Sequence, residues 1–137
     1  MLAPTRNLVF VVDKDTYVRR LIQQFVVDAY DVVFFDDGYA ALDRVRREAP
    51  DVLVTEVMTA LLDGLSLCRL LKADPVTTHV PILAMSILAA AGRAKDSGAD
   101  GFFQKPLEKA RFLTSLSSLV GSTKRGDAHS SPEHAPK

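Results

Sequence analysis

Short, nearly unbroken apolar runs alternate along this chain with stretches in which apolar positions recur every three or four residues. The runs fall at 8–12, 31–35, 51–55, 81–85 and 101–104 and are rich in Val, Leu, Ile and Phe. Such continuity suits strands buried on both faces. Between the runs, Val18, Leu21, Ile22, Phe25 and Val26 follow the i, i+3, i+4, i+7 spacing of a helix with one apolar face. Ala41, Leu42 and Val45 mark a second helix, and Leu67, Cys68 and Leu71 a third. Leu107, Leu113, Leu116, Leu119 and Val120 mark the last. Residues 88–97 read as a short, weak helix, which Gly92 disfavours by about 1 kcal/mol relative to alanine. Strictly alternating strands and helices predict a single α/β domain built on a doubly wound parallel sheet.

Breakers fall where that architecture needs connections. Asp15 or Thr16 can cap the first helix, Asp63-Gly64 can start the third, and Asp74-Pro75 can end it. Asp36-Asp37 before Gly38 reads as a turn or helix cap rather than a metal site. The domain is expected to span residues 1–120. Residues 121–137 contain no apolar side chain larger than alanine and are expected to form a disordered tail or the start of a linker.

Charge narrows the possible functions. Seventeen basic residues balance seventeen acidic ones, so no bulk field draws the domain to nucleic acid or anionic lipid. No apolar stretch reaches the ~20 residues of a membrane span. The single cysteine, Cys68, excludes an internal disulfide and suits a reducing cytoplasm, with helix packing as its expected role. His79 lies in a polar loop and is expected to be solvated, while His129 and His134 fall in the tail without structured companions. Arg44, Arg46 and Arg47 read as a solvated face.

Four of the strand-like runs end in chemistry-bearing residues: Asp13, Lys14 and Asp15 after the first, then Glu56, Ser86 and Lys105. In a parallel doubly wound sheet these ends share one edge, where ligands bind. The order VVDKD, DVLVTEVMTALLDG, PILAMS, GADGFFQKP resembles the receiver domain of bacterial response regulators over residues 7–120. The resemblance implies a (βα)5 fold with a five-stranded sheet, and phosphorylation of an aspartate at the end of the third strand. It also implies Mg²⁺ held with help from two acids ending the first strand. On that pattern Asp13 matches the first acid, Glu56 the phosphoacceptor position, Ser86 the switch hydroxyl, Phe102 the rotating aromatic and Lys105 the lysine. Lys105–Pro106 becomes a candidate cis peptide on the same grounds.

The chain departs from the family pattern in five ways. Lys14 replaces the second acid, taking the pocket's formal charge from −2 to 0. Mg²⁺ prefers oxygen ligands, so Lys14 is expected to take the metal's place and metal binding to be weak or absent. Glu56 carries its carboxylate roughly 1.3 Å further forward than aspartate would, and a 1 Å misplacement can cost ~100-fold in rate. Held by Lys105 and Lys14, Glu56 reads either as a weak imitation of the phosphorylated form or as one partner of a structural ion pair. Ile87, where the family has a small residue, is expected to obstruct the pocket and to pack against the fourth helix. Thr59-Ala60-Leu61 replaces a loop that usually carries proline and glycine, leaving the aim of the Met58 carbonyl altered. Ser86 to Gly98 spans about three residues fewer than is usual, nearly one turn at 3.6 residues per turn, which leaves dimerisation through the fourth-helix face open between monomer and weak dimer.

The expected function is therefore a receiver-like, non-enzymatic signalling module that works through a protein partner: a histidine kinase, a phosphotransfer protein or an effector domain. One alternative is a receiver phosphorylated by an unconventional route. Another is a small phosphatase resembling haloacid-dehalogenase hydrolases, with Asp13-Lys14-Asp15 as its DxD and Ser86 and Lys105 as phosphate binders. Only Asp96 and Asp100 offer the later acids that such a hydrolase needs.

Overall fold

The computed structural model describes residues 6–128. Five strands, β1 (Asn7–Val12), β2 (Tyr30–Phe35), β3 (Val52–Glu56), β4 (Ile82–Ser86) and β5 (Gly101–Gln104), form one parallel sheet in the order β2-β1-β3-β4-β5. Five helices cover its faces: α1 (Thr16–Val26), α2 (Gly38–Arg47), α3 (Gly64–Ala73), α4 (Ala91–Asp96) and α5 (Lys109–Ala128).

Period-two alternation explains how one set of strands serves two cores. Val9, Val11, Val52, Val54, Leu83, Met85 and Phe103 face α1 and α5, meeting Ile22, Val26, Phe112 and Leu116. Their neighbours Phe10, Val12, Phe35, Leu53 and Ile82 face α2 and α3, meeting Ala41, Val45, Leu67, Cys68 and Leu71. Phe10 and Phe35 pack edge to face at 5.0 Å, as do Phe103 and Phe112 at 5.8 Å.

Helix starts follow the acidic residues that precede them. Asp15 accepts from the Tyr17 and Val18 amides, Asp37 from Ala40, and Asp63 from Ser66, each satisfying donors that a helix's first turn leaves free. Asp15, rather than Thr16, caps α1. α4 is the exception: its Ala90 cap offers no side-chain acceptor, and only Ala94 of its six residues is buried. It is shorter than residues 88–97 suggest, because nothing in Ile87–Ala90 supplies a cap. α5 continues as helical backbone to Ala128, into the stretch expected to be a tail or linker. Lack of large apolar side chains removes packing energy but does not prevent an established helix from adding further turns. Residues 129–137, including His129 and His134, lie outside the described residues.

Cys68 sits fully buried on the α3 face of the core, and burial pushes its thiol up to about 12. An ordinary thiol titrates near 8.5, so at that pH native Cys68 holds at least ~100-fold less thiolate than the unfolded chain. Alkylation by iodoacetamide at pH 8.5, followed by intact mass, is expected to label the denatured protein within minutes and to leave the native protein essentially unlabelled over the same time.

Candidate functional site

Strand register brings the chemistry-bearing residues to one edge. Val12 lies beside Thr55, Glu56 beside Met85, and Ser86 beside Gln104. The residues that follow are tied across the same edge: the Val57 amide donates to the Met85 carbonyl at 2.9 Å, and the Lys105 amide to the Ser86 carbonyl at 2.9 Å. The Lys105–Pro106 peptide bond is cis. Gly64 completes the edge by letting α3 begin against β3. Its amide donates to the Val57 carbonyl at 2.8 Å, and a Cβ there would stand 2.3 Å from the Glu56 carbonyl oxygen.

The geometry centres on Lys105. Its ammonium donates to Glu56 Oε1 at 2.6 Å and to Asp13 Oδ2 at 3.0 Å. All three side chains are largely withdrawn from water, 12% exposed for Lys105, 10% for Glu56 and 5% for Asp13. The remaining carboxylate oxygens are occupied by backbone: Asp13 Oδ1 accepts from the Asp15 amide at 2.9 Å, and Glu56 Oε2 from the Met58 amide at 3.0 Å. Burial alone would push the Lys105 ammonium toward deprotonation. The hydrogen bonds to Glu56 and Asp13, with their charges, outweigh it and raise its pKa above the ordinary 10.5.

Lys14 does not take the expected place. It is exposed on the wall of a cleft of about 330 Å³ shared with Asp13, Asp15, Glu56, Met58, Ile87 and Lys105. Among the described residues it makes no hydrogen bond or ion pair. Lys105 alone bridges the carboxylates. A second ammonium drawn into the cluster would have to be desolvated to share oxygens that already accept one hydrogen bond each.

Ile87 is 64% exposed and lines the same cleft. Ser86 is fully buried, and its Oγ accepts from the Leu88 amide at 3.1 Å. Phe102 is half-buried against the small group formed by Val57, Ala84 and Ala94. The altered loop after β3 leaves a mark in the backbone, because Leu61 adopts a positive φ of 67°. There L-residues other than glycine and asparagine are disfavoured.

Three participants escape a reading of the sequence. The Met58 and Asp15 amides carry no side-chain signal, since any residue supplies an N–H. Arg19 donates through Nε to the Asp13 carbonyl and pairs with Asp36 at 2.7 Å. Its place four positions beyond the capping Asp15 was the one available hint. Asp36 thus serves an ion pair while Asp37 provides the cap. His79 is exposed, and the three α2 arginines are paired with Glu48, Asp74 and Asp43.

The receiver resemblance implies Mg²⁺, and these residues do not fit it. A small cation that demands near-octahedral oxygen coordination needs carboxylate lone pairs. Here Lys14 puts an ammonium on the cleft wall where a second acid would supply oxygen, and Asp13 and Glu56 already share Lys105.

Comparison with known proteins sets this geometry in context. The profile of the response regulator receiver domain matches residues 9–117. The chain is 32% identical over 117 residues to the response regulator PleD of Caulobacter vibrioides, covering 83% of this chain and 26% of PleD. It is 33% identical over 124 residues to the response regulator MprA of Mycobacterium leprae, covering 88% of this chain and 54% of MprA. The chain thus spans about a quarter to a half of these relatives. Among solved structures, the receiver domain of the sensor histidine kinase PA1611 from Pseudomonas aeruginosa, which holds a magnesium ion in its active site cleft, superposes with a TM-score of 0.79. Its identity is 22%, covering 85% of this chain and 99% of that one. No helix among the described residues is long and apolar enough to cross a membrane.

Two outcomes check this site. Lys105→Met leaves two buried carboxylates facing each other and is expected to cost about 3 kcal/mol in urea unfolding at pH 7. Because the folded pKa of Lys105 is raised, the stabilisation linked to it is fully present below about pH 10.5 and lost as pH climbs through the folded value. The gap between wild type and variant should therefore narrow only in strong alkali. Leu61→Gly relieves ~1–2 kcal/mol of left-handed backbone cost against a glycine entropy term of about 0.5–1 kcal/mol. Its denaturation midpoint is expected to rise by the equivalent of roughly 0.5–1 kcal/mol.

Proposed function

The chain belongs to the response regulator receiver domain family, and from that premise we propose that it is a receiver that signals without Mg²⁺-dependent phosphorylation. The observation that carries this reading is the pairing of two departures in one cleft, Lys14 on its wall where the family pattern has a second acid and Glu56, bonded to Lys105, at the acceptor position. Phosphoryl transfer to a carboxylate needs a cation that offsets charge on both the attacking and the transferred oxygens. Lys105 supplies part of that charge and competes with a metal for both carboxylates, and Lys14 on the cleft wall disfavours a divalent ion. Glu56 adds a displaced attacking oxygen, already bonded to Lys105 and to the Met58 amide.

Such a domain is not an enzyme of its own phosphorylation. Its output is the binding of a protein partner, whether a histidine kinase, a phosphotransfer protein or an effector domain. Glu56 bonded to both Lys105 and the Met58 amide supports a single, permanently held state of the pocket rather than one that alternates. The phosphatase reading finds no support in the site: Asp100 binds Lys72 at 3.0 Å and the Ile82 amide at 2.8 Å, and so is spent on the fold. Asp96 belongs to the C-terminal end of α4.

Incubation with acetyl phosphate and Mg²⁺, followed by intact mass, is expected to show no gain of about 80 Da, the size of one phosphoryl group. Stoichiometric, base-labile labelling on Glu56 would sink the proposal.

A further inference from the structure

β2 is an outer strand of the sheet, and the register shows which of its backbone groups face out. The Leu8 carbonyl accepts from the Asp51 amide beside β3. Leu8, Phe10 and Val12 therefore turn their backbone groups to β3, while Asn7, Val9 and Val11 turn theirs to β2. Val9 stands opposite Val32, so Asp31, Val33 and Phe35 complete the ladder from the β2 side. The N–H and C=O groups of Tyr30, Val32 and Phe34 point away from the sheet. Among the described residues, the Tyr30 carbonyl alone of these has a partner, the Arg6 guanidinium at 2.9 Å. A carbonyl oxygen keeps a second lone pair.

This edge lacks the usual protection. Proteins blunt exposed edges with short strands, prolines, lysines or bulges. β2 instead runs for six residues, YDVVFF, in unbroken register with β1. Its one charge, Asp31, is answered by Arg6 at 3.2 Å. The opposite outer strand, β5, is only four residues long and is followed by the cis Lys105–Pro106 bond.

The open groups are self-complementary about Val32. In an antiparallel pair, hydrogen-bonded residues that face each other exchange both N–H···O=C bonds. A second β2 laid antiparallel, Val32 against Val32, brings Tyr30 against Phe34 on either side, and every outward donor meets an outward acceptor. The Tyr30, Val32 and Phe34 side chains all pack on the core beneath α1 and α5. The pairing therefore sets a tyrosine beside a phenylalanine twice and a valine beside a valine, combinations that favour strand association. Charge does not oppose it, because Asp31 and Asp36 are already paired with Arg6 and Arg19. We infer that β2 joins β2 of a second copy of this chain across a two-fold axis, making one continuous sheet. The inference goes beyond the signalling reading and does not rest on it.

Amide hydrogen exchange of the full chain, read residue by residue by NMR from about 20 μM to about 1 mM protein, tests the pairing. The Val32 and Phe34 amides are expected to slow by about tenfold or more as concentration rises, while Val33 and Phe35, already bonded to β1, hold their rates. Val32 and Phe34 rates that ignore concentration overturn the inference, whether fast, as in an open edge, or slow, as in an edge covered by its own chain. Val32→Pro deletes the central outward donor and no bond to β1, a place where an outer strand tolerates proline. It is expected to sediment as a monomer at concentrations where the wild type is a dimer; a dimer that survives it overturns the pairing. Register is read by crosslinking with oxidised glutathione, for which the buried Cys68 does not compete. Facing Cα atoms at Val32 would lie about 5.5 Å apart, within disulfide reach. The two copies of Tyr30 would lie roughly 14 Å apart, beyond it. Val32→Cys is expected to give a linked dimer and Tyr30→Cys none. Equal crosslinking of the two variants, or of neither, defeats the two-fold arrangement.

Discussion

The ammonium of Lys105, held between Glu56 and Asp13, fixes what the carboxyl edge of the sheet can do. Its reach from the end of β5 to the ends of β1 and β3 crosses β4, so one side chain couples three of the five strands. Two carboxylates withdrawn from water at close quarters would repel each other and forgo hydration. One lysine answers both, and the Asp15 and Met58 amides take the oxygens it does not reach. Every oxygen of the cluster has a partner from within the chain.

That internal closure changes how the resemblance to receivers is to be understood. The scaffold is preserved to the level of strand order, the capped first turns of α1, α2 and α3, and the lysine before the cis proline. What differs is concentrated at the carboxyl edge of the sheet, at Lys14, Glu56, the loop through Leu61, and Ile87. A fold specifies where a site sits, and the side chains there specify what it does. The PA1611 receiver domain with its bound magnesium and this chain share the first and need not share the second.

The fold was largely legible because two periodicities recorded it. Unbroken Val, Leu, Ile and Phe runs can serve only strands covered on both faces, and the three-to-four spacing from Val18 to Val26 serves only a helix. Element edges shifted by a residue or so where burial and hydrogen bonding disagreed, as at Glu56, which closes β3 although it is charged. The site was legible as a list of residues and less so as a set of contacts. Lys14 and Lys105 look equivalent in a count of charges. The strand-end geometry buries one and leaves the other in water, and composition carries no trace of that difference. The exposure of Ile87, by contrast, carries no mark in the sequence, where an isoleucine after a strand is equally at home in a core. The reach of α5 past Val120 was hidden because helix continuation draws on backbone hydrogen bonds that no side chain announces.

The short α4 has a consequence of its own. This turn and a half has Ala94 as its one buried side chain, no side-chain cap, and open space around Gly92. Segments of that kind open at a free energy well below that of global unfolding. Ala91–Asp96 is accordingly the natural first unit to exchange its amide hydrogens, melting and re-forming beside Ile87 and Leu88 while the sheet and the other helices stay intact. The strand-end cluster tied by Lys105 thus has beside it the helix of this domain with the least side-chain anchoring, and slower exchange in Ala91–Asp96 would report any added order at that margin.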